Sequence, residues 1–239
     1  MAATPTQPRD DSKKSAQADE LEADRRPIAT RDAAFAQRIA AWLIARRVSP
    51  NAISVFGMIA GVLAGVAFAA TAQSPNNARW LFGVGAVCVQ VRLLCNLFDG
   101  MVAIGSGRAS PVGELYNEVP DRVSDAATLV GFGYALGGQP WLGYCAALVA
   151  VFTAYVRAMG KAAGAGNDFC GPMAKPVRMF LVTIAALYLA FAPRDLVPSL
   201  AGYQLPAIVL AIVVLGCVVT SWRRLRRIAK HLHEVGSNG

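Results

Sequence analysis

The chain has 239 residues, of which 55% are apolar and only 16% charged, and its mean hydropathy is +0.41. A water-soluble domain of this size is about a quarter charged, so the composition excludes an ordinary cytosolic enzyme and points to a bilayer. The net charge of +8 does not lie in a basic stripe interleaved with aromatics, so nucleic acid is not an expected partner. Basic ends on apolar runs read instead as membrane orientation.

Residues 1–32 hold 6 basic and 7 acidic residues and have no apolar period to offset the entropy of ordering them, so a disordered tail is expected. No apolar stretch follows Met1, so no signal peptide is expected either. Residues 33–48 come next. There Phe35, Ile39, Trp42, Leu43 and the stem of Arg46 recur at three- to four-residue spacing. This predicts an amphipathic juxtamembrane helix, lying in the interface plane or packed on the membrane domain.

Six apolar runs then fill residues 49–222: 52–70, 81–102, 113–136, 141–156, 177–191 and 205–222. At about 1.5 Å per residue the second run alone spans about 33 Å. The predicted fold is therefore all-α: a polytopic membrane protein of six transmembrane helices, preceded by the amphipathic interfacial helix. A basic cytoplasmic tail, 223–239, follows.

Lysine and arginine set the orientation. Arg38, Arg46 and Arg47 precede the first run. Arg108 separates the second from the third, and Arg157, Lys161 and Lys175 separate the fourth from the fifth. Arg223, Arg224, Arg226, Arg227 and Lys230 follow the sixth. The alternate loops are poor in basic residues, so both termini are expected in the cytoplasm. On the first run, Gly57, Gly61 and Gly65 form a ladder of small residues. It lets another helix approach closely, from inside the bundle in the simpler case or from a second subunit. The cysteines, Cys88, Cys95, Cys145, Cys170 and Cys217, stand singly and suggest neither a metal knot nor a disulfide framework.

Outside the tail there are 8 acids, and five of them (Asp99, Glu114, Glu118, Asp121 and Asp125) fall within 27 positions. Ionised groups at helix centres cost about 2.5–3.5 kcal/mol each on insertion scales, so these acids must line a hydrated cavity and hold something positive. Arg92, Arg122 and Arg157 balance some of them, and a surplus of negative charge is expected to remain. Arg92, Asn96, Asp99 and Ala103 share one helical face, as do Glu114, Asn117, Glu118, Asp121 and Asp125. The short loop 105–112 brings the two faces together. Oxygen ligands without His or Cys suit Mg²⁺, Mn²⁺ or Ca²⁺, and Mg²⁺ held by few carboxylates points to a phosphate-bearing substrate.

These residues resemble a known family. Asp99-Gly100-x-x-Ala103, Gly113 and Asp121 match the signature of the CDP-alcohol phosphatidyltransferases, D-x-x-D-G-x-x-A-R-x8-G-x3-D-x3-D, at its full spacing. Pro50-Asn51-Ala52-Ile53-Ser54 looks like the family's lead-in to its first span. Tyr155-Val156-Arg157-Ala158 and Lys175-x-x-Arg178 look like its phosphate-binding residues. The resemblance covers about residues 50–222. It implies two divalent ions, Mg²⁺ or Mn²⁺, at the motif positions Asn96, Asp99, Asn117 and Asp121, with Asp121 as general base. It also implies nucleotide binding by Gly100, Ala103, Arg108 and Gly113, and phosphate binding by Arg157, Lys175 and Arg178. The implied reaction transfers a phosphatidyl or phospho-alcohol group from CDP-diacylglycerol or another CDP-alcohol to an alcohol acceptor, releasing CMP. It would run among the lipids of a bacterial cytoplasmic membrane, in a homodimer.

The chain departs from the signature at three positions, where Asn96, Asn117 and Ile104 replace two aspartates and the arginine. An asparagine still offers a carbonyl oxygen, but no charge, so one metal is expected to be weakened or absent. A membrane relative that binds a nucleotide-lipid or a lipid headgroup without turning it over is the alternative. A transporter would show internal repeats, and none is visible.

Overall fold

Each apolar run becomes a helix in the computed structural model, which describes residues 33–107, 111–193 and 196–237. The leading helix is α1 (Ala34–Ala45). The runs become α2 (Pro50–Gln73), α3 (Ala78–Gly105) after a 3₁₀ turn at Pro75–Asn77, α4 (Pro111–Gly133), α5 (Pro140–Ala162), α6 (Lys175–Phe191) and α7 (Leu205–Ser237). A proline stands in the first turn of α2, α4, α5 and α6, where its missing N–H and fixed φ cost nothing. A two-residue hairpin, β1 (Ser199–Leu200) and β2 (Tyr203–Gln204), pairs antiparallel before α7. Residues 1–32, expected as a tail, and Arg108 lie outside the described residues.

Among the described residues, four helices are long and apolar enough to cross a membrane: α2, α3 with its 3₁₀ turn, α5 and α7. Helix α4 carries four of the five clustered acids, and α6 has 17 residues. Helix α4 stops at Gly133, short of the expected residue 136. There Gly137 takes φ +78° and the Leu136 amide donates to Thr71 Oγ1 at 2.8 Å. At the other extreme, α7 does not end at the bilayer edge. It continues as one helix to Ser237, so most of the expected basic tail is helical. Arg224 on this extension is buried and donates to the carbonyls of Cys170 and Thr153 at 2.9 and 3.0 Å. These bonds tie the extension to the α5–α6 connection.

The glycine ladder is used inside the bundle. A Cβ on Gly57 would sit 2.8 Å from Cys95 Cβ of α3, one on Gly61 2.5 Å from Ser124 Cβ, and one on Gly65 2.2 Å from the Ala127 carbonyl of α4. Helix α2 is thus the hub on which α3 and α4 pack. Below the site, Phe68, Phe82 and Phe132 interlock, with ring centroids 6.2 and 5.1 Å from that of Phe68. Large apolar side chains such as Val66, Val87, Leu148, Phe180 and Leu215 point outward, as suits a surface solvated by lipid tails.

The connections sort to opposite ends. Arg79 donates to the Ala192 carbonyl at 3.0 Å, and Gly137 lies against Gln204. These contacts gather the α2–α3, α4–α5 and α6–α7 connections at one end. Helix α1, the end of α3, the start of α6 and the extension of α7 share the other. Helix α1 buries Ala36 and Ala40 in a cluster with Cys95, Phe98 and Val102, while Phe35, Ile39 and Trp42 stay exposed. Its small face thus packs on the bundle and its large apolar face points away.

Candidate active site

The motif faces of α3 and α4 do meet, and α2 and α6 close the site around them. From α2, Ser54 Oγ donates to Asp99 Oδ2 at 2.7 Å. From α3, Arg92, 2% exposed, reaches across to α4. Its Nε donates to Ser124 Oγ at 2.9 Å and its Nη2 to Asp121 Oδ1 at 2.8 Å. Arg92 Nη2 also lies 2.9 Å from Asp125 Oδ1, an ionic contact without hydrogen-bond alignment. From α6, Lys175 Nζ donates to Asn96 Oδ1 at 2.7 Å and to Asp121 Oδ2. One turn on, Arg178 Nη2 holds Asp125 Oδ2 at 3.3 Å, and its Nη1 donates to the Met173 carbonyl at 3.0 Å. A small cleft opens between Ser54, Gly57, Cys95, Asn96, Asp99 and Asp121.

This arrangement corrects the charge balance expected from sequence. The surplus of negative charge is not there among the described residues. Glu118, Asp121 and Asp125 pair with five cations, because α6 brings Lys175 and Arg178 to the three arginines already counted, and Asp99 is held by Ser54. Arg122 holds Glu118 at 3.3 Å and approaches Asp121 at 3.8 Å. Arg157 pairs with Glu118 and lies 5.5 Å over the Phe169 ring. Of the three residues expected to bind phosphate, Lys175 touches the motif pair and Arg157 edges the site. Arg178 is 2% exposed and turned inward onto Asp125. Gly100 is buried beside Asp99, whereas Ala103 and Gly113 are half-buried.

Two motif oxygens are buried and lack a hydrogen-bond partner, Asp99 Oδ1 and Asn117 Oδ1. The Gly100 amide lies against the same Asp99 carboxylate but is not aligned on Oδ1. A buried carboxylate oxygen left without a donor costs free energy unless a ligand satisfies it. The donor set is all oxygen, and this chemistry fits a hard divalent ion. No group of three or more His, Cys, Asp or Glu side chains converges on one point among the described residues. That is the geometric consequence of asparagine at two motif positions.

Some of the site was not singled out from sequence. Ser54 and Ser124 were missed as partners of the charged residues. A hydroxyl one turn into α2, ahead of its long apolar stretch, was the available signal for Ser54.

The fold is a helical bundle whose polar core is built on a spaced acidic motif, and comparison with known proteins gives the class. A model of the CDP-alcohol phosphatidyltransferase family matches residues 47–222. The phosphatidylinositol phosphate synthase of Streptomyces avermitilis is 31% identical over 204 residues, which is 82% of this chain and 78% of that one. Two crystal structures of the Mycobacterium tuberculosis phosphatidylinositol phosphate synthase share the fold, each with a TM-score of 0.64 at 20% identity. One, with CDP-diacylglycerol bound, covers 82% of this chain and 94% of that one. The other, with manganese and citrate, covers 81% and 88%. The chain belongs to the CDP-alcohol phosphatidyltransferase family. It is an enzyme of phospholipid biosynthesis that moves a phosphatidyl or related group from a CDP-linked donor to an alcohol and releases CMP.

Proposed function

We propose that the donor is CDP-diacylglycerol and that the acceptor is a polar alcohol, with phosphorylated inositol the first to test. The buried Asp99 carries this reading: it is 4% exposed, fixed by Ser54 through one oxygen and left open at the other, in the cleft that also holds Asp121. The Streptomyces relative is named as a phosphatidylinositol phosphate synthase, and a Mycobacterium relative was solved with CDP-diacylglycerol. Both support the choice of substrates.

In this reaction the acceptor hydroxyl oxygen bonds to the phosphorus that bears the diacylglycerol. The bond from that phosphorus to the CMP oxygen breaks, and CMP leaves. The hydroxyl proton goes to Asp121. Asp99 and Asn117 would hold a bound Mg²⁺ or Mn²⁺, which when present neutralises the pyrophosphate. Lys175 has three N–H donors. Two are engaged by Asn96 and Asp121, so the third is available to a phosphate oxygen. Arg157 borders the site as a further anion ligand. Gly100, Ala103 and Gly113 let the nucleotide approach the backbone, and the motif spacing extends this role to Arg108. Arg178 acts on Asp125 and positions the frame.

We further propose that α2 to α7 all cross a bacterial cytoplasmic membrane, with both termini inside, the site near the cytoplasmic end and α1 in the interface. Residues 1–32 would form a tail, 33–48 the juxtamembrane unit, 49–222 the catalytic domain and 223–239 a basic cytoplasmic extension. A homodimer is the expected assembly. With the glycine ladder buried, its interface falls to the exposed apolar faces.

Purified enzyme in detergent tests the reaction. CMP release is measured from CDP-diacylglycerol and from a soluble CDP-alcohol, each with and without inositol phosphate, glycerol phosphate or serine. Acceptor-dependent release from CDP-diacylglycerol is expected. Folded protein that releases CMP from no donor would leave the non-catalytic reading in its place.

A further inference from the structure

We propose that Lys175 is a resident cation standing in for one of the two divalent ions its family resemblance implies, so that this chain binds a single ion. The inference rests on the proposed site reading, in which Asp99 and Asn117 hold the ion, whereas the family resemblance implies ions at all four motif positions, 96, 99, 117 and 121.

An inventory of oxygens carries it. Asn96 Oδ1 accepts from Lys175 Nζ at 2.7 Å. Asp121 Oδ2 accepts from the same ammonium, and Asp121 Oδ1 accepts from Arg92 at 2.8 Å. Asp99 Oδ2 is taken by Ser54. At the four motif positions, what remains buried without a hydrogen-bond partner is one carboxylate oxygen, Asp99 Oδ1, and one amide oxygen, Asn117 Oδ1; Asp125 Oδ1, also without one, lies 2.9 Å from Arg92 Nη2. A Mg²⁺ ion is usually held by one or two carboxylates, with water and substrate phosphate completing its shell. The remaining oxygens meet that need once. A second ion would have to displace Lys175 from Asn96 and Asp121, so with the ammonium in place the residues fit one ion and not two.

The charge arithmetic agrees. Asparagine at positions 96 and 117 removes two negative charges, as many as one divalent ion would neutralise. The ammonium then neutralises Asp121 and takes the uncharged Asn96 oxygen as its second acceptor. Aspartate at 96 would put a second carboxylate on that ammonium and restore an anionic pair able to attract a divalent ion. Lys175 is 79 residues from Asn96 and reaches it because the start of α6 packs beside α3. Among the described residues, two acceptors take two of its donors, and the third is left for a ligand. It can therefore take over part of the charge neutralisation on phosphate that a second ion would supply, as a point charge on a flexible stem.

The test is a count of bound Mn²⁺ per chain, read in detergent from the loss of the free Mn²⁺ electron paramagnetic resonance signal. The wild type should bind one ion, Lys175→Arg one, Asp99→Asn none, and Asn96→Asp/Lys175→Met two. Two ions, or none, on the wild type would overturn the inference with no variant needed. So would a folded double variant that still binds one ion, or an Asp99→Asn variant that binds as the wild type does. CMP release measured on the same wild-type preparation separates the two ideas. One bound ion without turnover removes the proposed reaction and leaves the ion assignment. Turnover with two bound ions does the reverse.

Discussion

Ser54 gives its hydroxyl to Asp99 Oδ2, and that bond decides which carboxylate oxygen is left to face a ligand. Ser54→Ala removes the hydroxyl donor from the buried Oδ2, which costs about 1–3 kcal/mol. A lower thermal unfolding midpoint in detergent and weaker Mn²⁺ binding are the expected readings, and an unchanged midpoint would show that the bond is not made. Asp121 carries the chemistry. Asp121→Asn should lower the rate of CMP release at least about 100-fold, because the amide can no longer take the acceptor proton. Near-normal turnover by the folded variant would remove the proposed base. Arg178 belongs to the frame, since it and Asp125 are each 2% exposed. Arg178→Met breaks a buried pair, at about 3–5 kcal/mol, and should reduce the yield of folded protein before it alters the kinetics. These roles were unevenly legible in the sequence. Asp99 and Asp121 declare themselves by motif spacing. The partners of each charge do not, because hydrogen bonds between helices leave no period in the chain.

Helix α2 has no charged residue, yet it sets the spacing of the site. A Cβ on Gly61 would come within 2.5 Å of Ser124 Cβ, and Ser124 Oγ accepts from Arg92 Nε, the guanidinium that also holds Asp121. Pushing α4 away at this point therefore moves the site as well as the packing. Gly61→Val should cost about 1–3 kcal/mol by overpacking and also reduce turnover, measurable as CMP release per folded molecule. Gly83, on the outer part of α3, meets no atom closer than 3.9 Å, and Gly83→Ala should leave turnover unchanged and stability equal or up to about 1 kcal/mol higher. Equal effects of the two substitutions would mean that the ladder does not transmit to the site. The elements themselves were largely legible: all six apolar runs are helices, and the ladder packs within the bundle. Lys175 on α6 was legible as a basic residue near a span, but its contact with Asn96 was not. The positive charge next to an apolar run has an equally good explanation in topology, and nothing local distinguishes the two. The end of α7 was missed for a different reason. Basic composition marks where a membrane ends, not where a helix does, and Arg224 finds carbonyl acceptors that let the helix continue.

At the scale of the whole molecule, the contacts between connections and the distribution of charge point the same way. One end gathers residues 74–77, 134–138 and 196–204 and is poor in lysine and arginine. The other gathers α1, the start of α6 and the basic extension of α7, where Arg46, Arg157, Lys161, Arg223, Arg226 and Arg227 lie. Basic residues are retained on the cytoplasmic side of a membrane, so the second end should face the cytoplasm. The motif residues at the end of α3 then lie on the side where CDP-linked donors and polar acceptors are available. Helix α4 can cross despite its acids, since Asp121 and Asp125 are neutralised inside the bundle by Arg92, Lys175 and Arg178 rather than exposed to lipid. Helix α6 has 17 residues, about 26 Å at the helical rise, and a locally thinned bilayer accommodates a span of that length. Reporter fusions decide the arrangement. Fusions after Gly137 and after Asp195 should report the outer side, and those after Arg108 and Lys161 the cytoplasm. A cytoplasmic signal after Gly137 would mean that α4 does not cross. An outer signal after Lys161 would place Arg157 and Lys175 away from the cytoplasm and break the six-crossing arrangement on which the location of the site depends.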